Sequence, residues 1–332
     1  SIYAVLCLRA KSCGSRKGIG CMIMAEQRIE FIVAPEEAGV RLDALLAQKL
    51  SDYSRSFLQK NIKNGCVQIN HAASKASYKV NTGDTVTFDV PALTEPEIEP
   101  EDIPLDILYE DEDVIVINKP KQMVVHPAPG HYHGTIVNGL MYHCRDSLSG
   151  INGVMRPGIV HRIDQDTTGV IVACKNDQAH QCIAQQLKEH SITRKYHAIV
   201  LGHLAEDGTV VGKIGRHPVD RKKMAINEKN GKEAVTHYHI LDHLNNKYTY
   251  VECQLETGRT HQIRVHMASI GHPILGDQVY GPQKCPFHLT GQTLHAKTLG
   301  FIHPRTGEYM EFEAPLPEYF EKLLHRLDSL QK

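Results

Sequence analysis

No apolar run in this 332-residue chain approaches the roughly 18 residues that a membrane-crossing helix needs, so a chain built on hydrophobic spans is excluded. Missing too is any C-x-x-C pair. The nine cysteines (Cys7, Cys13, Cys21, Cys66, Cys144, Cys174, Cys182, Cys253 and Cys285) are odd in number and widely scattered. That excludes the usual zinc and dithiol frameworks and reads as the reduced thiols of a cytoplasmic protein, mostly inert packing. Net charge is also nearly absent, at −1, which would argue against nucleic acid if the charge were evenly spread. It is not. Residues 95–113, EPEIEPEDIPLDILYEDED, hold ten of the 38 acids and no base, so the rest of the chain sets 37 bases against 28 acids, a net +9. A basic surface therefore remains available for phosphate contacts.

What is present is an ordinary globular composition, 41% apolar and 23% charged, in a chain long enough for two domains. Residues 1–27 fit neither domain and read as a disordered extension, upstream of a natural start at Met22 or Met24; the apolar piece has no positive segment before it and is short for a secretory signal. Residues 28–90 form a small unit. VRLDALLAQKL repeats Leu42, Leu45, Leu46 and Leu50 at helical spacing, SRSFLQKNIKNG opens on Ser and closes on Gly, and strand-like CVQIN and DTVTFDV follow. Residues 91–104, rich in Pro and Glu, read as an extended linker too polar to pack.

From Leu105 to residue 332 strands outnumber helices. DVIVINKP, GVIVACK and KYHAIVLGHL are strand-like, while TIVNGLMYHC and QAHQCIAQQLKEH are helix-like. EAVTHYHILDHLNNKYTYVECQLETG predicts two long strands joined through an Asn-Asn turn, and PLPEYFEKLLHRL a final helix. Hairpin pairing of this kind predicts an α+β domain with a mainly antiparallel sheet.

Chemistry is suggested by GIVHRIDQDTTG, in which Asp164 and Asp166 follow His161 and Arg162. On a strand the two acids would share a face, and retaining glycosidases hold two carboxylates about 5 to 5.5 Å apart. DTTG looks more like a turn, where Asp166 would bond its own backbone. In TGRTHQIRVHMASIGHPILGD, Thr260 is placed to cap a helix that Gly271 ends, with Ile263, Met267 and Ile270 on its apolar side and Arg264 facing elsewhere. Such an arginine keeps a neighbouring aspartate ionised. His126, His131 and His133 in HPAPGHYH have no acid or cysteine close in sequence to complete a ligand set, so they read as a Pro/Gly-shaped loop and not a metal site. Arg55, Lys60 and Lys63 on the second N-terminal helix read, alone, as a solvated face.

RLDALLAQKLSDYSRSFLQKNIKNGCVQINHAASKASYKVNTGDTV resembles the RNA-binding module named after ribosomal protein S4. That likeness implies that Arg55, Lys60 and Lys63 meet an RNA backbone. HRIDQDTTG, with NKPKQMVVHPAPGHYHGTIVNGL, RKYHAIVLG and TGRTHQIRVHMASIGHPILGD in the same order, resembles the pseudouridine synthases that modify large-subunit ribosomal RNA. HRIDQDTTG departs from the family's HRLDxxTSG only in Ile163 and Thr168. The family resemblance implies Asp164 as the catalytic carboxylate, Arg264 paired with it, Tyr196 stacked on the uracil, and Arg162 entering the space left by a flipped-out uridine. It implies no metal and no organic cofactor, and a ribosomal RNA partner either free or in an assembling subunit; the oligomeric state is left open, with a monomer as the default expectation. Asp164 would act on the sugar, on the ring, or on a sugar proton. Two other readings stand beside this one: a non-catalytic RNA-binding assembly factor, and a nucleoside hydrolase using Asp164 and Asp166.

Overall fold

The computed structural model describes residues 25–91, 98–128, 131–145, 147–153, 156–220, 223–285 and 287–329; the expected N-terminal extension, as far as residue 24, lies outside them. Two compact units divide between Glu95 and Pro96. The first contains β1 (Ala25–Ile32), α1 (Leu42–Lys49), α2 (Arg55–Lys63), β2 (Val67–Ile69), β3 (Ala72–Ala73) and β4 (Thr85–Pro91). Its strands form one antiparallel sheet in the order β1-β4-β2-β3. Strand β1 begins inside the stretch expected to be an extension, because Ala25 and Gln27 pair with Pro91 and Val90 at the far end of β4.

Helix α2 starts where Ser54 Oγ accepts the Phe57 amide at 3.3 Å, and Gly65, at φ +78°, turns the chain away. Leu42, Leu45 and Leu46 of α1 and Leu58 and Ile62 of α2 are buried against Val67, Val86 and Phe88. Beneath them Asp43 is fully buried, accepting hydrogen bonds from Arg41 Nε (3.0 Å), Arg55 Nη2 (3.1 Å) and Gln59 Nε2 (2.7 Å). One carboxylate thus ties α1 to α2. The Arg41 bond above all, against the effect of burial, holds the Asp43 carboxyl well below the usual carboxylate range.

The second unit runs β5 (Ile107–Glu110), β6 (Val114–Lys119), α3 (Ile136–Cys144), β7 (Thr168–Cys174), α4 (Asp177–Lys188), β8 (Thr193–Leu201), β9 (Gly208–Arg216), β10 (Met224–Ile226), β11 (Lys232–Leu244), β12 (Tyr248–Leu255), α5 (Gln262–Ser269), β13 (Leu294–Ile302), β14 (Tyr309–Glu313) and α6 (Glu318–Ser329). Among the described residues these strands join one sheet in the order β10-β9-β11-β12-β8-β13-β7-β6-β5, with β14 added beside β13. Every pairing is antiparallel except that of β7 with β13, so the α+β class is that of a mainly antiparallel mixed sheet. Strand β7 is buried along its whole length, as its unbroken apolar run requires, whereas the N-terminal half of β8 alternates. Asn245 and Asn246 both take positive φ (43° and 56°) between β11 and β12, the left-handed pair that a tight hairpin turn demands.

The acidic stretch differs from its expected character. Residues 92–97 lie outside the described residues, but from Ile98 onward the chain is packed. Ile98 is buried with the core of the second unit, the Glu99 carbonyl accepts Asn138 Nδ2 at 2.9 Å, and the Glu101 amide donates to the Asn138 carbonyl at 3.0 Å. A single isoleucine among acids suffices to seat the segment on α3, while Glu99 stays exposed to water.

Candidate active site

Asp164 lies in a turn ahead of β7 and not on a strand; the Thr167 amide donates to its carbonyl at 3.1 Å. Three neighbours hold this turn. Lys119, the last residue of β6, is fully buried and its ammonium donates to the carbonyls of Pro120, Met123 and Gln165 at 2.8, 2.9 and 2.9 Å. Burial brings the Lys119 pKa down to about 7, against the pull of Asp166 and Asp164. Gln292 Nε2 donates to Thr167 Oγ1 at 3.1 Å, and Thr168 Oγ1 stands 2.7 Å from His295 Nδ1. His295 Nε2 donates to the Ala314 carbonyl at 3.1 Å, which leaves Nδ1 to accept the threonine hydroxyl; burial pushes this histidine down to about 4 and keeps it neutral. Gly169, at φ +110°, has no room for a side chain, since a Cβ there would run into the Ala296 backbone of β13. The close approach sets where the turn begins.

Helix α5 supplies the partner. Its start differs from expectation: His261, at φ +57°, is the residue before the helix, and Thr260 is not its cap. Ile263 and Met267 are buried, but Ile270 is 37% exposed, because it lies past the last helical turn as the chain bends into Gly271. The helix has no polar face in the usual sense, since Gln262, Arg264 and His266 are buried along with the apolar residues. Arg264 Nη1 donates to Asp164 Oδ2 at 3.0 Å, while Nε and Nη2 grip Asp277 Oδ2 and Oδ1 at 2.7 and 3.0 Å. Asp277 Oδ1 also accepts the amides of Val279 (2.9 Å) and Tyr280 (3.2 Å), and the guanidinium lies 5.0 Å from the Tyr280 ring centre. Burial works against the Arg264 charge, but the bonds to Asp277 and Asp164 outweigh it and push its pKa up. Asp277 therefore acts as the anchor that aims the remaining guanidinium nitrogen at Asp164.

His261 Nε2 stands 3.7 Å from Asp164 Oδ1, and its Nδ1 lies 2.7 Å from the Tyr280 hydroxyl, which accepts the Met224 amide at 3.0 Å. Burial lowers the His261 pKa despite the nearby Asp164, so the ring is neutral at pH 7. Asp164, His261 and Arg264 line a cavity of about 480 Å³ whose wall runs from Val160–Asp164 past the end of α4, across Arg194 and Tyr196 of β8, to Gly258–Arg259 and the first turn of α5. Burial keeps the Tyr196 phenol protonated. Arg162 is exposed on the same wall.

The structure thus brings Asp164, Arg162, Tyr196 and Arg264 to one cavity. Asp166 is elsewhere: it is absent from the lining, its carboxylate is pressed against Gly291, and it makes no bond to its own backbone, contrary to expectation. The bond that closes the turn comes from the Thr167 amide to Asp164 instead. In the N-terminal unit Lys60 and Lys63 are exposed on α2, and Arg55, also exposed, is tied to Asp43. Of the histidine loop, His131 pairs its backbone with Ala128, and His133 Nδ1 lies 3.0 Å from a carboxylate remote in sequence, Glu101. Burial brings the third, His126, to about 4. Among the described residues, one group with the spacing of metal ligands is Asp111, Asp113 and His303, whose acids are engaged by Tyr109, His303 and Arg305. Lys119, Arg194, His261, Asp277 and Tyr280 were not singled out from sequence. Lys119, Arg194, His261 and Asp277 fall inside the ordered segments, which was their one signal; Tyr280 falls outside them.

Comparison with known proteins follows the same lines. The family of RNA pseudouridylate synthases matches residues 113–269, and the S4 domain matches residues 40–86. An uncharacterized RNA pseudouridine synthase of Bacillus subtilis is 53% identical over 301 residues, covering 90% of this chain and 98% of that protein. The ribosomal large subunit pseudouridine synthase D of Zymomonas mobilis is 48% identical over 308 residues, covering 90% and 97%. In three dimensions the chain resembles human RNA pseudouridylate synthase domain containing 1, at 26% identity and a TM-score of 0.52, over 68% of this chain and 94% of that one. With relatives this similar over nine-tenths of its length, and an S4 domain ahead of the catalytic fold, the chain belongs to the RNA pseudouridine synthases.

Proposed function

We propose that this protein converts uridines of large-subunit ribosomal RNA to pseudouridine, with Asp164 as the reacting carboxylate on a flipped-out nucleotide. The observation that carries the proposal is the Asp277–Arg264–Asp164 chain of charge-assisted bonds, which presents one aspartate oxygen pair to a cavity of nucleoside size. Isomerisation breaks the ribose bond to N1, turns the uracil and rejoins it through C5, without net redox, transfer or hydrolysis. It needs a fixed carboxylate, a sheltered pocket and a surface for the loose ring. Tyr196 supplies that surface, and Arg162, exposed on the wall, fills the gap left in the RNA stack. Arg55, Lys60 and Lys63 contact phosphates without reading sequence, and the enzyme acts as a cytoplasmic monomer on free RNA or an assembling subunit. No helix among the described residues is long and apolar enough to cross a membrane.

The ribosomal substrate is supported by relatives that carry it in their names. The hydrolase alternative is disfavoured because Asp166 does not line the cavity, so among the described residues no second carboxylate stands with Asp164 in its wall. The test is a map of pseudouridine in cellular RNA by carbodiimide-dependent reverse-transcription stops, with and without the gene. Loss of discrete large-subunit stops is expected. An unchanged map, or release of free uracil by the purified protein, would overturn the proposal.

A further inference from the structure

Arg194 is the second residue of β8, two before Tyr196 and on the same face of the strand, and it lines the same cavity as Asp164. It is only 7% exposed. Its Nη2 donates to the Glu256 carbonyl at 3.0 Å, its Nε has no hydrogen-bond partner, and among the described residues no carboxylate pairs with it. Arg264 and Arg305 of this unit are different, since each holds a carboxylate with two nitrogens. Nor does His161 offset the charge, because burial brings it down to about 3 and leaves it neutral. Gly258 has no side chain where the guanidinium passes: a Cβ there would lie 2.5 Å from Nη1. A guanidinium stays charged even in such surroundings, and a buried cation with an unused N–H is costly. A group that is under-satisfied in the free protein, in the wall of the reaction cavity, is arranged for something that arrives there.

What arrives is an electron-rich ring. Whether Asp164 attacks C1′ of the ribose, adds to C6 of the uracil or removes a proton from the sugar, negative charge develops on the ring and spreads to its carbonyl oxygens. When the N1–C1′ bond breaks, its electron pair goes to N1. When C5 bonds to C1′, any bond to the Asp164 carboxylate breaks and the ring is neutralised; the C5 proton then leaves to a base or to water while N1 takes one up. We propose that Arg194 donates to a carbonyl oxygen of the uracil and stabilises the negative charge the ring carries during its rotation. The proposal rests on the uridine reading of the cavity. It assigns the ring and not a phosphate, because backbone phosphates stay in water, where the exposed Arg162 stands, whereas Arg194 is buried in the wall.

The test uses the full-length protein and a short RNA substrate carrying either uridine or 5-fluorouridine at the target position; because fluorine replaces the C5 proton that must leave to finish pseudouridine, both RNAs are followed by cleavage of the N1–C1′ bond. Single-turnover rates at saturation, RNA dissociation constants and thermal midpoints are measured for wild type, Arg194→Met and Gly258→Ala. Arg194→Met is expected to slow uridine conversion by about 10²- to 10³-fold, the loss typical of one donor to a developing anion. RNA affinity is expected to hold, and the thermal midpoint to hold or rise, because hydrocarbon replaces an uncompensated cation. On 5-fluorouridine, whose ring bears negative charge more readily, the loss should shrink to below about tenfold. Gly258→Ala, which crowds the guanidinium without removing it, should give a smaller loss with the same dependence on fluorine, and serves if Arg194→Met does not fold. An unchanged rate, equal losses on both substrates, or a loss confined to RNA affinity overturns the proposal, the last pointing to a phosphate contact. If wild type itself leaves the N1–C1′ bond of both RNAs intact, the uridine reading falls and this inference with it; if wild type isomerises uridine and the variants behave alike, only this inference falls.

Discussion

Arg264 serves two carboxylates with one planar group, and its geometry is what a lysine cannot copy. Arg264→Met leaves Asp164 and the buried Asp277 facing each other without a cation, a change expected to cost roughly 3–5 kcal/mol of stability. The rate should fall by about 10²- to 10³-fold in whatever fraction remains folded. Thermal unfolding beside single-turnover kinetics checks both; a normal rate in the Met variant would remove Arg264 from the mechanism. Asp164→Asn keeps the shape of the side chain but not its nucleophilicity, so conversion should drop on the order of 10⁴-fold or more with RNA binding retained. Asp166→Asn, altering a carboxylate outside the cavity, should leave a measurable rate. The reverse pattern in nuclease-digested RNA would move the reacting group to Asp166.

Among the elements, the start of β7 is the most constrained. Gly169→Ala puts a Cβ into the Ala296 backbone and asks an L-residue for φ +110°, so a loss on the order of 3–5 kcal/mol is expected in urea unfolding. A variant of wild-type stability would show that β7 and β13 separate readily. In the N-terminal unit the α1–α2 pair depends on Asp43, whose folded pKa lies below its unfolded value. The sign follows: a depressed carboxylate stabilises the fold fully above its unfolded pKa of about 3.9, and that contribution is lost as pH falls through the folded value. Urea midpoints of this unit should therefore hold from pH 6 to about pH 4 as far as Asp43 is concerned, then drop as pH falls below that in wild type, and drop less in Asp43→Asn, which starts lower. Parallel pH profiles for the two proteins would exclude Asp43 as the acid-sensitive link.

At the scale of the whole molecule, the division at Glu95 and Pro96 separates exposed lysines from the reaction cavity, since every residue lining the cavity lies in the second unit. A chain beginning at residue 96 is expected to bind ribosomal RNA more weakly and with a flatter salt dependence. Each lost phosphate contact removes up to about 0.7–0.9 from the slope of log affinity against log salt. Turnover on a saturating short RNA should persist, provided a thermal transition shows the shortened chain to be folded. An unchanged slope would mean that Arg55, Lys60 and Lys63 do not anchor RNA. Collapse of single-turnover chemistry would mean that the first unit takes part in the reaction.

The helices α1 and α2, the buried strands β6 and β7 and the Asn-Asn hairpin were legible in the sequence, because spacing, caps and turn residues act within a few positions of one another. Asp164 and Arg264 stood out for their ordered motifs, although 100 residues separate them. The rest needed the fold. Ile98 is one apolar residue in an acidic run, and no local pattern says that α3 will receive it. Strands β9, β10, β13 and β14 were not separated, since their neighbours in the sheet and not their own residues decide their pairing. Thr260 looked like a cap by type alone, whereas the backbone at His261 took that place under constraints from Tyr280 and Asp164. Arg194, Lys119 and Asp277 fall inside the ordered segments, but nothing local says what each one does there. A lysine, an arginine or an aspartate is ordinary on a surface, and only burial, with its loss of water, makes its partners or lack of them decisive.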